Sequence, residues 1–141
     1  MRRYLIFSVV LLVVIAVVGG IVPHSLAQSS AEGVQVITVT GKKYEYDPSP
    51  IRVKQGTKVR LNITATDHDH GFKISPFPDG AEKTGDPGLV FSSPQDCTKI
   101  EKGQTVTVEF VAQKAGTYSF RCCVVCGFHH HSMKGELIVE P

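Results

Sequence analysis

From residue 34 onward apolar and polar residues alternate with a period of two, which restricts this chain to strands with one buried face. In the stretch 58–65, KVRLNITA, Val59, Leu61, Ile63 and Ala65 share one face, and Lys58, Arg60, Asn62 and Thr64 the other. TVTVEF at 105–110 repeats the pattern with Val106, Val108 and Phe110 inward, and TYSFR at 117–121 with Tyr118 and Phe120 inward. VQVITVT at 34–40, IRV at 51–53 and ELIVE at 136–140 supply further strands. Turn signals separate them: Asp47-Pro48-Ser49-Pro50, Gln55-Gly56, Lys102-Gly103, Ala115-Gly116 and Lys134-Gly135. No amphipathic helix appears outside the N-terminus. The pattern predicts an all-β fold, a Greek-key β-sandwich, over residues 34–141.

One segment breaks the rhythm. Residues 75–100, SPFPDGAEKTGDPGLVFSSPQDCTKI, carry Pro76, Pro78, Pro87 and Pro94 with Gly80, Gly85 and Gly88, which excludes a regular central strand. An insertion of this length is either a surface excursion or a functional flap, tethered through Cys97.

The first residues, MRRYLIFSVVLLVVIAVVGGIVPHSLAQSS, place Arg2 and Arg3 before an apolar run from Tyr4 to Val22. This predicts an N-terminal hydrophobic helix over 1–27, followed by a linker at 28–33. It acts either as a secretory signal cleaved after Ala27 or as a single membrane anchor. Both outcomes export the remainder to the periplasmic or extracytoplasmic face, with membrane association if the helix is retained. Beyond residue 27 the chain has thirteen basic and thirteen acidic residues, so there is no electrostatic case for nucleic acid or a polyanionic partner.

The chemistry is concentrated near the C-terminus. In RCCVVCGFHHHSMKG, Cys122, Cys126, His130 and Met133 follow one another at intervals of four, four and three. Two thiolates, an imidazole and a thioether suit a soft, redox-active metal, and copper fits best. The preceding strand delivers Cys122 and Gly135 opens the final strand, so the run occupies a loop pinned by sheet at both ends. Gly127 permits the tight turn after Cys126. A further ligand is expected from His70 in TATDHDHGFKI, with Asp67 as a hydrogen-bond acceptor behind it. Cys97 and Cys123 are left over, and one disulfide or two free thiols both stay open.

Asp67, His70, Gly71 and Phe72, followed by Cys122, Cys126, Gly127, His130 and Met133, together resemble the CuA-binding domain of haem-copper oxidase subunit II, a cupredoxin. KKYEYDPSPIRVKQGTKVRL is similar to that family's opening strands. The resemblance covers roughly residues 34–74 and 103–140. It implies two copper ions bridged by the Cys122 and Cys126 thiolates, with His70 and His130 each capping one. Met133 would be a weak ligand to one copper and the backbone carbonyl of Val124 to the other. The implied role is relay of single electrons from a c-type cytochrome, or another donor, towards oxidase subunit I.

The same residues admit other readings. A mononuclear blue-copper site would use His70, Cys126, His130 and Met133 and leave Cys122 idle. Structural zinc would take Cys122, Cys126, His130 and His70 and leave Met133 without a role. Copper storage or delivery would use the same soft donors for cuprous ion. The spacing also traces one face of a helix, which Gly127, Gly135 and the β-rich flanks oppose. His68, His129 and His131 read as ordinary exposed residues, and Asn62-Ile63-Thr64 is a glycosylation sequon lying mid-strand. No nucleophile elbow, phosphate loop or metalloprotease motif is present, so the chain reads as non-catalytic on its own.

Overall fold

The computed structural model describes residues 33–141. The helix expected over 1–27, and all but the last residue of the 28–33 linker, lie outside the described residues. Ten strands form among them: β1 (Val34–Lys42), β2 (Glu45–Asp47), β3 (Ile51–Lys54), β4 (Lys58–Ala65), β5 (His70–Ile74), β6 (Leu89–Phe91), β7 (Thr98–Ile100), β8 (Thr105–Ala112), β9 (Gly116–Arg121) and β10 (Lys134–Glu140). Helical structure among the described residues is limited to one 3-10 turn, His130–Ser132, and no helix there is long and apolar enough to cross a membrane.

The strands form two five-stranded sheets, in the orders β2-β1-β4-β8-β6 and β3-β10-β9-β5-β7. Register explains why the period-two faces work. β4 pairs parallel with β1 and antiparallel with β8, so that Val39 sits beside Ile63 and Leu61 opposite Val108. In the second sheet Leu137 pairs with both Ile51 and Tyr118, and Ile74 with Phe120. The inward faces close into one core in which Leu61, Ile63, Phe110, Tyr118, Phe120 and Leu137 are fully buried. Each such side chain contributes about 1.5–3 kcal/mol of burial. Tyr46, Phe72 and Phe120 form an aromatic cluster, with centroids 5.9 Å apart for Tyr46–Phe72, 5.3 Å for Tyr46–Phe120 and 5.2 Å for Phe72–Phe120.

Two features differ from the sequence expectation. The segment 75–100 is not wholly irregular, because it contributes β6 and β7. Both are outermost strands of their sheets, where a Pro- and Gly-rich segment can still pair on one side. His70 opens a further strand, β5, that the period-two pattern did not mark. Alternation fails there because His70, Gly71, Phe72 and Ile74 are all buried, on both faces of the strand.

Candidate metal centre

The end of the sandwich where β9 stops and β10 starts gathers the sulfur and nitrogen donors. Cys122 follows the last residue of β9, and its backbone N–H donates to the Met133 carbonyl at 2.9 Å, closing the 122–133 loop across its base. Gly127 turns the chain at φ +134, a conformation side chains rarely adopt. The 3-10 turn then brings His130 and Met133 back towards Cys126.

Within this loop the thiols of Cys122 and Cys126 are buried, free, and 3.6 Å apart. His130 Nδ1 lies 3.8 Å and Met133 Sδ 3.9 Å from Cys126 Sγ. The Val124 carbonyl oxygen lies 3.1 Å from Cys122 Sγ. From β5, the strand next to β9 in the same sheet, His70 joins the two thiols, with one donor atom from each of the three residues within 4.8 Å of the others. All six residues expected to hold a metal therefore come together, from a strand start and a loop separated by about fifty positions of chain.

The state of His70 is set by Asp67. His70 Nε2–H donates to Asp67 Oδ1 at 2.7 Å, which leaves Nδ1 with its lone pair free. That atom is buried and has no hydrogen-bond partner. An orphaned imidazole nitrogen beside two buried thiols is costly unless something binds it, and a soft metal ion satisfies all three donors at once. Burial disfavours the Asp67 carboxylate. The N–H groups of Lys43 and His68 and the His70 hydrogen bond outweigh that and hold it down at about 2. Burial first, then the neighbouring Cys122, push the Cys126 thiol up to about 11. A metal ion entering the site at neutral pH would displace that proton.

Residues other than the expected ligands also support the site. Gly71 N–H donates to Cys122 Sγ at 3.2 Å. A Cβ on Gly71 would lie 2.7 Å from Cys123 Sγ and 2.8 Å from the Val124 nitrogen, so the strand and the ligand loop touch backbone to backbone. Tyr46 donates its hydroxyl to the Gly71 carbonyl, and burial raises its pKa. Gly71 stands beside His70 in HDHGF and Tyr46 lies in the KKYEYDPSPIRVKQGTKVRL stretch, but neither was assigned a role at the site from the sequence. Cys97 and Cys123 form a disulfide that ties the approach to β7 to the ligand loop. His68, His129 and His131 are exposed. Val125 and Phe128, on the same loop, face solvent.

Known proteins resemble this chain in sequence and fold to differing extents. The cupredoxin-like domain matches residues 9–139. Cytochrome c oxidase subunit 2 of Thermus thermophilus is 27% identical over 97 residues, which cover 69% of this chain and 59% of that protein. The chain thus spans a little over half the length of that relative. The fold is similar to auracyanin A, a "blue" copper protein of Chloroflexus aurantiacus, with a TM-score of 0.57 at 19% identity, covering 77% of this chain and 100% of that one. It is also similar to the periplasmic domain of cytochrome oxidase subunit II (CoxB) of Bradyrhizobium japonicum, with a TM-score of 0.53 at 17% identity, covering 75% and 83%. At these identities the structural likenesses establish the fold alone. Because the domain match runs from before the first strand into the last, the chain belongs to the cupredoxin-like domain family.

Proposed function

We propose that the domain holds a binuclear, CuA-type copper centre and relays single electrons as a subunit II-like component of a haem-copper oxidase chain. On this reading it faces the extracytoplasmic side, receives electrons from a c-type cytochrome or similar donor, and passes them towards oxidase subunit I. The observation that carries the proposal is the pair of free, buried thiols 3.6 Å apart, clustered with His70, whose buried Nδ1 has no hydrogen-bond partner. One sulfur alone would serve a mononuclear site. Two at this separation suit a bridge, and His70, His130, Met133 and the Val124 carbonyl supply the remaining donors.

Copper bound here would supply a one-electron couple. The chain's own contribution is rigidity. Cys122 is held by the backbone bond to Met133 and the N–H of Gly71, His70 by Asp67, and the loop by the disulfide beside Cys122. Donors held this firmly need move little when the charge at the site changes. The buried setting of the thiols keeps water away from them.

A mononuclear centre on Cys126 is the competing reading, since His130 and Met133 both approach Cys126 rather than Cys122. Copper titration with electron paramagnetic resonance separates the two. An electron shared over two copper nuclei gives a seven-line hyperfine pattern at about two coppers per chain, whereas one copper gives four lines. Cys122→Ser should abolish the seven-line signal. A four-line spectrum at one copper per chain, unchanged by Cys122→Ser, refutes the binuclear assignment. A silent, cuprous protein that passes copper to an acceptor would indicate delivery instead.

A further inference from the structure

The outer face of the second sheet carries a cluster of charge that the metal centre does not use. Lys73 of β5 pairs with Arg121 of β9, and Arg121 pairs with Lys134 of β10. Three cations therefore stand abreast on neighbouring strands, spaced by roughly the 4.8 Å between strands. Like charges directly opposite one another destabilise a sheet. Only Lys73 is relieved, by Asp96 at 2.6 Å; among the described residues neither Arg121 nor Lys134 forms an ion pair.

The first part of the 75–100 segment rises beside this row and makes it concave. The resulting cleft has a volume of about 660 Å³, with Lys83 on its wall and Phe77 and Pro78 among its apolar lining. Asp79 is the acidic residue lining it, and both its oxygens are engaged by Ser119, through the hydroxyl at 2.6 Å and the backbone N–H at 3.3 Å. Glu136, which pairs with Ser119 in the next row, lines the adjoining cleft. Positive charge is thus in clear excess, although the chain beyond residue 27 is neutral by count.

We infer that this cleft binds a small polyanion carrying two or more phosphate or carboxylate groups. Its volume lies in the usual range of small-ligand sites, about 300–1,000 Å³. The Arg121 guanidinium can hold an oxyanion through two parallel hydrogen bonds, while Lys134, Lys83 and Lys73 supply further charge. An oxyanion bridging Arg121 and Lys134 offsets the repulsion that the sheet register imposes. A small molecule suits a concave cleft of this volume better than an extended acidic surface does. The site does not depend on metal binding.

The test uses the metal-free full chain in detergent, titrated calorimetrically with pyrophosphate and separately with citrate at constant ionic strength. The expected result is saturable binding at one site per chain, with a Tm that rises with ligand concentration. The stronger of the two anions assigns phosphate or carboxylate chemistry. The double variant Arg121→Gln, Lys134→Gln should weaken binding at least about tenfold, the loss of one or more charge-assisted hydrogen bonds. Its unliganded Tm should stay level or rise, because the repulsion is gone. Should that variant fail to fold, Lys83→Gln on the exposed wall gives the same comparison. No saturable heat with either anion overturns the inference, as does affinity that the charge substitutions leave unchanged. Binding of hexaglutamate alone also overturns it and marks a protein-docking face instead.

Discussion

Gly71→Ala places the smallest possible perturbation between the two halves of the metal centre. The added methyl carbon would stand 2.7 Å from Cys123 Sγ, 2.8 Å from the Val124 nitrogen and 3.0 Å from the Cys123 nitrogen, where ordinary contact begins at 3.4 Å. Relieving the tightest of these requires a retreat of roughly 0.7 Å, from 2.7 to 3.4 Å. The neighbours are backbone and a disulfide sulfur, so no flexible side chain can absorb the shift. Cys123 is fixed to Cys97, and Cys122 is tied to Met133 through its N–H. Overpacking of this kind costs about 1–3 kcal/mol. A displacement near 0.7 Å also exceeds the tolerance of about 0.5 Å within which a metal constellation stays productive. Urea denaturation of the metal-free variant should show a lower midpoint with an unchanged slope, and the folded protein should load copper with an altered spectrum. Gly56→Ala is the control. Nothing lies within 4 Å of a Cβ there, but the residue has φ +83, so the variant should lose stability through backbone strain and keep the copper spectrum. If Gly71→Ala matches the parent in both stability and spectrum, the backbone contact between β5 and the ligand loop does not govern the site.

Three further outcomes follow from the same geometry. Replacing both Cys97 and Cys123 by Ser opens a link spanning 26 positions and should cost about 2–4 kcal/mol by urea denaturation, together with a fall in copper affinity; unchanged affinity would show that the link stabilises the fold only. Asp67→Asn removes the carboxylate that keeps the His70 proton on Nε2, and should weaken copper binding about 10–100-fold in a chelator competition, with a modest fall in the Tm of the metal-free protein at neutral pH because the ionised carboxylate is favoured in the fold. Copper loading should release protons into a weakly buffered solution, because the Cys126 thiol, raised to about 11, is protonated at neutral pH; proton-free loading would contradict that assignment.

The strands with one wet face were legible in the sequence because their chemistry is local. Lys58–Ala65 and Thr105–Ala112 alternate residue by residue, and the paired register turns that alternation into a shared core. The ligand loop was legible for a similar reason, since four donors lie within twelve positions and a turn can bring them together. β5 was not. His70, Gly71, Phe72 and Ile74 are buried on both faces, and the contacts that bury Gly71 come from Cys123 and Val124, about fifty positions away. β2, β6 and β7 are three residues each, too short to show a period. The cation row was also hidden, because Lys73, Arg121 and Lys134 become neighbours only through pairing.

Those long-range contacts also explain how the 75–100 segment takes part in the site. Its last strand, β7, pairs with β5 so that Ile100 stands opposite His70 and Lys99 opposite Gly71. One residue before β7, Cys97 is bonded to Cys123, the neighbour of Cys122. The segment therefore grips the strand that carries one imidazole and, through a covalent bond, the loop that carries the sulfurs. Neither half can shift against the other without straining β7. A chain with the same ligands but no such tie would have to hold His70 against Cys122 and Cys126 by packing alone. The spacing of the candidate ligands thus points to a chemistry, while the insertion between them fixes their geometry.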